Sequence, residues 1–336
     1  MSNEAGSARA RRGSGRRPTT DPFGDRNGPL EHLAYAIVRA TVGGLVAMPS
    51  SLRGAVLGGL ARVARRLDRR HADAARRFIE QALGPGVDPE RCEALVLGSY
   101  RHLAEVALGV VQRHRRIAPE RVLDHYELEA TPDVERFIAA GPPAVFITGH
   151  IGDWEAGPLY WFQRGFRPAH LMAKPPRNRP LSIWMHRMRE RGGCTMLSRY
   201  GGMREAVSVL AKGGVLGMLL DHRAVQKPVL APFFGRLARC ERSSGVLLRR
   251  ARVPAIVFAC YRTERLFYYR IVAPRVLWPE DLEGRSPEEV AALVNVELEG
   301  LIRAAPEQYY WLHDRFYKTP TEAEVGSGLE AAGVRP

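Results

Sequence analysis

The sequence predicts an α/β protein with a mostly parallel central sheet flanked by helices, preceded by an N-terminal helical, membrane-associating region. Three observations predict it. From Pro119 onward, short apolar runs of strand length alternate with helix-length segments, the pattern of βαβ units. Upstream, from Leu33 to Arg113, the chain reads as successive helices. Polar clusters fall just after the apolar runs, where open α/β sheets place their chemistry.

Residues 1–28 are rich in Gly, Ser, Pro and Arg, without apolar periodicity, and read as a disordered basic tail. They contain no apolar h-region, so they do not read as a secretory signal peptide. Leu33 to Met48 is apolar apart from Arg39, holds the pair Gly43-Gly44 and is stopped by Pro49. It falls short of the ~20 apolar residues of a spanning helix. It is expected to lie in the membrane plane or to serve as a core helix. Arg53 to Arg70 sets small apolar residues among Arg62, Arg65, Arg66, Arg69 and Arg70. Such a basic amphipathic helix suits an anionic membrane surface, or forms a solvated face. Helices follow at His71 to Leu83 and Pro89 to Arg113, the latter with Leu95, Tyr100, Leu103, Val106 and Val110 at helical spacing.

Residues 29–118 therefore form the helical region and 119–318 the α/β domain. The domain's expected order begins with a strand at His125 to Leu128, a helix at Pro132 to Ala140 and a strand at Ala144 to Ile147. A site helix, a strand at Ala169 to Ala173 and a helix at Leu181 to Gly192 come next. Then follow a strand at Thr195 to Leu197, a helix at Gly202 to Lys212 and a strand at Val215 to Leu220. Two strands, Ala255 to Tyr261 and Leu266 to Ile271, and a helix from Pro287 to Ala304 complete it. Residues 319–336 read as a flexible tail.

A net charge of +14 calls for an acidic partner: nucleic acid, anionic headgroups or an acidic carrier protein, unless it reflects an Arg-rich proteome alone. The four cysteines form no Cys-x-x-Cys pair, which argues against a zinc site or disulfide framework and fits a reducing compartment. Neither metal-ligand spacing, nor a Ser-centred nucleophile elbow, nor a P-loop occurs, and no metal or cofactor is expected.

The chemistry concentrates in Pro142 to Leu159. The strand ends at Thr148-Gly149; His150 follows, with Asp153, Trp154 and Glu155 after it. On one helix His150 and Glu155 would sit about 140° apart. They converge if His150 lies in the turn and Asp153 caps a helix carrying Glu155. A carboxylate beside an imidazole fixes its tautomer and makes a general base; otherwise His150 simply hydrogen-bonds in a turn. Lys174, Arg177, Asn178 and Arg179 crowd a Pro-bounded loop that reads as a phosphate or carboxylate clamp, or as an exposed turn. Asp221, His222 and Arg223 follow a strand and point to the same crevice. Phe233, Phe234 and Arg236 read as an apolar wall with a charged rim, or as core with a turn. The aromatic and basic stretch Pro306 to Lys318 lacks any nucleic-acid-binding pattern, so no nucleic-acid partner is expected.

Together these pieces resemble the late (lauroyl/myristoyl-type) acyltransferases of lipid A biosynthesis, within the lysophospholipid acyltransferase superfamily. The resemblance runs from about Glu31 to Pro320. It rests on Gly149-His-Ile-Gly-Asp-Trp-Glu155, Pro176-Arg-Asn178, Gly213-Gly-Val-Leu-Gly217 leading to Asp221, Ala231-Pro-Phe-Phe-Gly-Arg236, and Pro306-Glu-Gln-Tyr-Tyr-Trp-Leu-His-Asp-Arg315. The family's His-x4-Asp/Glu motif falls on His150 and Glu155. The resemblance implies transfer of a fatty acyl group from an acyl carrier protein or coenzyme A thioester to a hydroxyl of a lipid A-type glycolipid. His150 would be the general base and Glu155 would orient it. Backbone N–H groups or a cation such as Arg177 would stabilise the oxyanion, and Trp154, Phe233 and Phe234 would line the acyl groove. It also implies the cytoplasmic face of the inner membrane, with peripheral or monotopic attachment. Lys174 replaces a common Arg, and Leu237 to Arg242 departs from the usual small, Thr- and Pro-containing run. Those departures leave open another acceptor, such as a phosphatidylinositol mannoside, a lysophospholipid or an amino-acid lipid. A non-catalytic basic membrane- or nucleic-acid-binding protein is the reading from outside the enzymes.

Overall fold

The computed structural model describes residues 23–173, 175–198 and 202–319. Four helices lead: α1 (Pro29–Ala47), α2 (Ser50–Leu67), α3 (Arg69–Leu83) and α4 (Pro89–Arg116). Pro49 separates α1 from α2, and Asp88 caps α4 by accepting from the Arg91 N–H at 2.9 Å. α1 is apolar enough, and at 19 residues long enough, to approach the thickness of a bilayer core. Its Leu30, Leu33 and Ile37 stand exposed. α4 is also long and apolar, but it buries Cys92, Leu95, Val96 and Val106 in the core.

The α/β part begins with β1 (Tyr126–Glu129), α5 (Pro132–Ala140), β2 (Ala144–Thr148), α6 (Gly157–Gln163) and β3 (Ala169–Ala173). It continues with α7 (Arg179–Arg191), β4 (Cys194–Ser198), α8 (Gly202–Ala211) and β5 (Val215–Leu219). The hairpin β6 (Val229–Phe233) and β7 (Arg236–Cys240) then precedes α9 (Arg242–Ala251), β8 (Ala255–Arg262) and β9 (Tyr269–Leu277). The short α10 (Pro279–Leu282) and the long α11 (Pro287–Ala304) close the order.

The main sheet has seven strands in the order β1-β9-β8-β2-β5-β3-β4. All pairs are parallel except β8 with β9. Strand β2 buries all five of its residues, as a strand covered on both faces must. One face packs Val145, Ile147 and Leu216 against α9 and α11. The other packs Phe146, Val215 and Phe258 against Tyr160 and Trp161 of α6. Each fully buried large side chain contributes about 1.5–3 kcal/mol. After β2 the chain crosses by α6 on one face toward β3; after β5 it crosses by α9 on the other toward β8. Such a reversal between adjacent strands opens a crevice at their carboxyl ends.

Several expected boundaries shift. Residues 23–28, expected in the basic tail, instead dock on the Pro176–Arg177 loop, where the Arg26 N–H donates to the Arg177 carbonyl at 2.9 Å. The site helix starts at Gly157, so Glu155 stands in the turn before it. The last strand is Tyr269–Leu277 rather than Leu266 to Ile271, antiparallel to β8, with Pro274 beside an irregularity in the register.

Candidate active site

His150 leaves the end of β2 and Asp221 stands two residues beyond β5, the neighbouring strand. The Asp221 carboxylate accepts from the His150 backbone N–H at 2.9 Å and from the ring Nδ1 at 3.0 Å. Gly149 makes this approach possible, because a Cβ there would lie 3.0 Å from the Asp221 Cβ and Cγ. Since a carboxylate only accepts, the proton sits on Nδ1, and in the neutral ring Nε2 then carries the lone pair. The loop is stitched down beyond His150. Gly152, at φ +60°, donates to the Gln308 carbonyl at 2.7 Å, and the Asp153 N–H donates to the Cys260 carbonyl at 2.6 Å. Trp154 packs edge-on to the imidazole with ring centroids 4.9 Å apart.

Asp221 thus takes the hydrogen-bonding position on His150 that the sequence reading gave to Glu155. Glu155 is tied to Arg189 of α7, at 2.5 and 3.0 Å, and reaches His150 only through its charge. Burial presses the imidazole toward neutrality, but the Asp221 charge and hydrogen bond, with Glu155 behind them, outweigh it and raise the His150 pKa. Burial would raise the Glu155 carboxyl; the Arg189 guanidinium overrides it and holds the group below its ordinary range. Asp221 is likewise held low, its burial overridden by His150.

A cavity of about 1040 Å³ opens beside this pair. His150, Trp154, Glu155, Arg189 and His222 stand along it. Its floor is one register row across four strands: Phe146 of β2, Gly217 of β5, Leu171 of β3 and Met196 of β4. Trp161 of α6 and Phe258 of β8 add further apolar wall. A polar dyad above an apolar trough of this size fits a long apolar chain with one reactive end.

Other expected site residues lie elsewhere. Asp153 is 1% exposed and pairs with the buried Arg113 at 2.7 Å, so it braces the loop and does not line the cavity. Arg177 pairs with Asp25 at the surface, away from the cavity. Asn178 caps α7 through the Leu181 N–H at 2.9 Å and donates to the Glu31 carbonyl. The Arg223 backbone N–H donates to His313, and its guanidinium lies over Tyr317. Phe233 and Phe234 are core, packed edge-on to each other near Phe316 and Trp311, with Phe234 at φ +50° in the hairpin turn. Arg236 lies over Phe316. Lys174 lies outside the described residues. The sequence reading missed Arg189, whose only signal was a charge on an amphipathic helix. It also missed the cavity floor, hidden in strands that read simply as apolar.

Arg315 completes the frame. Fully buried, it donates to the carbonyls of Leu220 and His222, each at 2.7 Å, and to Asn295 and Cys240.

Comparison with known proteins gives the chain's relatives. The chain is 26% identical over 182 residues to a lipid A biosynthesis acyltransferase of Haemophilus influenzae, a match covering 53% of this chain and 55% of that protein. It therefore spans about half the length of that relative. It is 25% identical over 269 residues to the lipid A biosynthesis lauroyltransferase of Escherichia coli, covering 78% of this chain and 84% of that protein. A family model for bacterial lipid A biosynthesis acyltransferases matches residues 26–318, so the chain belongs to that family.

Proposed function

We propose that this protein is a membrane-associated O-acyltransferase that moves a fatty acyl group from a thioester to a hydroxyl of a lipid A-type glycolipid. The observation that carries the reading is the His150–Asp221 dyad at the head of the apolar cavity. Asp221 holds the Nδ1 proton, which leaves Nε2 to take the proton of the acceptor hydroxyl as its oxygen attacks the thioester carbonyl. The C–S bond then breaks, the ester C–O bond is in place, and the thiol leaves with the proton. Glu155 and Arg189 add fixed charge beside the imidazole, and the trough floored by Phe146, Gly217 and Leu171 takes the acyl chain.

The donor is an acyl carrier protein or coenzyme A thioester, both acidic and matched to the net charge of +14. No metal or other cofactor has a part in these steps. In this reading the protein works at the cytoplasmic face of the inner membrane, attached peripherally or monotopically, which the exposed apolar residues of α1 and the arginines of α2 support. The test is a lipid profile by mass spectrometry of a strain carrying only His150→Ala. An acceptor lipid short by one acyl chain is expected and names the acceptor. An unchanged profile at normal protein level overturns the reading.

A further inference from the structure

A second cavity, of about 790 Å³, lies between α1, α4 and α7, apart from the acyl trough. Five arginines line it: Arg39 of α1, Arg115 of α4, and Arg179, Arg187 and Arg191 of α7. His32 and His114 join them, and among the described lining residues there is no carboxylate. The side chains of Arg115, Arg187 and Arg191 are exposed and make no hydrogen bond or ion pair among the described residues, in a protein whose other cations are widely paired. So many cations of one sign at one opening make a positive field that draws an anion from solvent. The cations already act on one another: burial first, then Arg191 and Arg115, lower the pKa of His114.

The rest of the lining says what kind of anion. Val42, Gly43, Val46 and Ala47 of α1 form one side, on a helix whose other residues Leu30, Leu33 and Ile37 are exposed apolar groups. Tyr35 and Trp184 stand beside Arg39, whose guanidinium lies 5.2 Å from the Trp184 ring and donates to the Tyr35 hydroxyl. An apolar wall, an aromatic belt and a cationic recess match a lipid at the depth of its headgroup. An acidic protein or a nucleic acid would use the arginines alone and leave the apolar side of the recess unused. Guanidinium groups grip phosphate oxygens in pairs, and the several oxygens of one phosphate can be shared among these arginines.

α7 joins this cavity to the catalytic one. Ile183, Trp184, Arg187, Met188 and Arg191 face the recess and share one stripe of the helix. At about 100° per residue Arg189 lies on the opposite side, and it is there that it holds Glu155. We infer that this recess binds the phosphate-bearing headgroup of an anionic lipid at the bilayer surface, docking α7 and the acyl trough against the membrane. The inference rests on the reading of the protein as a membrane enzyme, but it concerns binding and is tested without catalysis.

Trp184 is a built-in probe. The fluorescence of the full chain is titrated with dihexanoyl phosphatidic acid below its micellar concentration, and the Trp184→Phe protein supplies the background. A saturable Trp184 signal is expected, weakened at least tenfold in Arg187→Ser/Arg191→Ser and unaltered in Arg121→Ser, which removes an exposed charge elsewhere. Dihexanoyl phosphatidylcholine should bind at least tenfold more weakly. Equal response to the neutral lipid, or indifference to the α7 changes, overturns the inference. Inorganic phosphate binding as tightly as the lipid would make this a free-anion site and overturn the lipid assignment. His150→Ala separates the two readings, because it should abolish acyl transfer and leave the Trp184 signal intact. If His150→Ala stays fully active, the proposed reaction fails; if only the Trp184 signal fails, the recess assignment does.

Discussion

Arg315 grips the main chain on both sides of Asp221, donating to the carbonyls of residues 220 and 222 while Asp221 itself points to His150. A chain of contacts therefore runs from a fully buried cation near the C-terminus, through backbone, to the tautomer of the imidazole. Arg315→Lys keeps the charge but loses the second nitrogen, whose bonds to Asn295 and Cys240 fix the group that holds both carbonyls. A displacement of the dyad on the order of 1 Å costs roughly 10²-fold in rate. The expected outcome is a fall in kcat of about that size, with the acid limb of the pH profile moved to lower pH as the Asp221–His150 contact loosens. A purely structural role would reduce the yield of active enzyme and leave that limb in place.

The pH dependence of the wild type follows from the dyad. His150 acts as a base only when neutral, and Asp221 raises its pKa above the ordinary value of about 6.5. Activity should fall as the pH drops through that raised value, so the acid limb of kcat/KM lies above about 6.5. Asp221→Asn removes the carboxylate and should shift the limb downward. By frustrating the tautomer it should also lower kcat by up to about 10⁴-fold. A limb that stays in place in Asp221→Asn would show that the titrating base is another group.

Gly217 sets the width of the trough. It lies between Phe146 and Leu171 in the floor row, and a Cβ there would come within 2.5 Å of the Leu171 Cδ2. Gly217→Val suits a strand yet fills the floor. One methylene of misfit in an apolar pocket is worth roughly 10–200-fold in discrimination. The ratio of kcat/KM for long over short acyl donors should fall by at least about tenfold. Competition between donors of different chain length in one assay measures it.

Much of the α/β order was legible because the apolar runs and helix periods are strong. Ala144 to Ile147, Ala169 to Ala173 and Pro287 to Ala304 stand where the pattern places them. What escaped is physically instructive. α9 carries Gly245 in its middle, which reads as a breaker; the residue is glycine because a Cβ would lie 3.0 Å from the Pro287 carbonyl oxygen at the start of α11. The hairpin β6–β7 contains Pro232, which weakens any strand signal. The site was half legible. His150 announces itself by following a strand, but the partner of its Nδ1 lies 71 residues on, and only the β2–β5 pairing brings it back. Spacing along the chain favoured Glu155, which is five residues away and bound to Arg189.

Glu155→Gln tests what that carboxylate contributes. Arg189 and Glu155 have side chains only 19% and 12% exposed, so the change strands a mostly buried guanidinium. Breaking such a pair from one side costs about 3–5 kcal/mol. Thermal unfolding should show that loss. The acid limb should move down by less than in Asp221→Asn, because Glu155 acts on His150 through space and Asp221 through a bond as well. A larger limb shift in Glu155→Gln would restore Glu155 to the orienting role.

Asp153→Asn should behave differently from both. The residue follows His150 closely, yet its carboxylate is turned inward to Arg113, whose guanidinium also donates to the Glu155 carbonyl at 2.8 Å and to the Tyr269 hydroxyl. Burial of Arg113 would lower its pKa, but Asp153 reverses this and holds the cation firmly charged. Removing the counter-charge leaves a buried cation unanswered, for a loss of about 3–5 kcal/mol in stability. The fraction that remains folded keeps the cavity lining, since Asp153 is not part of it. KM for the acceptor and the position of the acid limb should therefore match the wild type below the melting transition, while Tm falls. A raised acceptor KM with Tm unchanged would instead place Asp153 against the substrate.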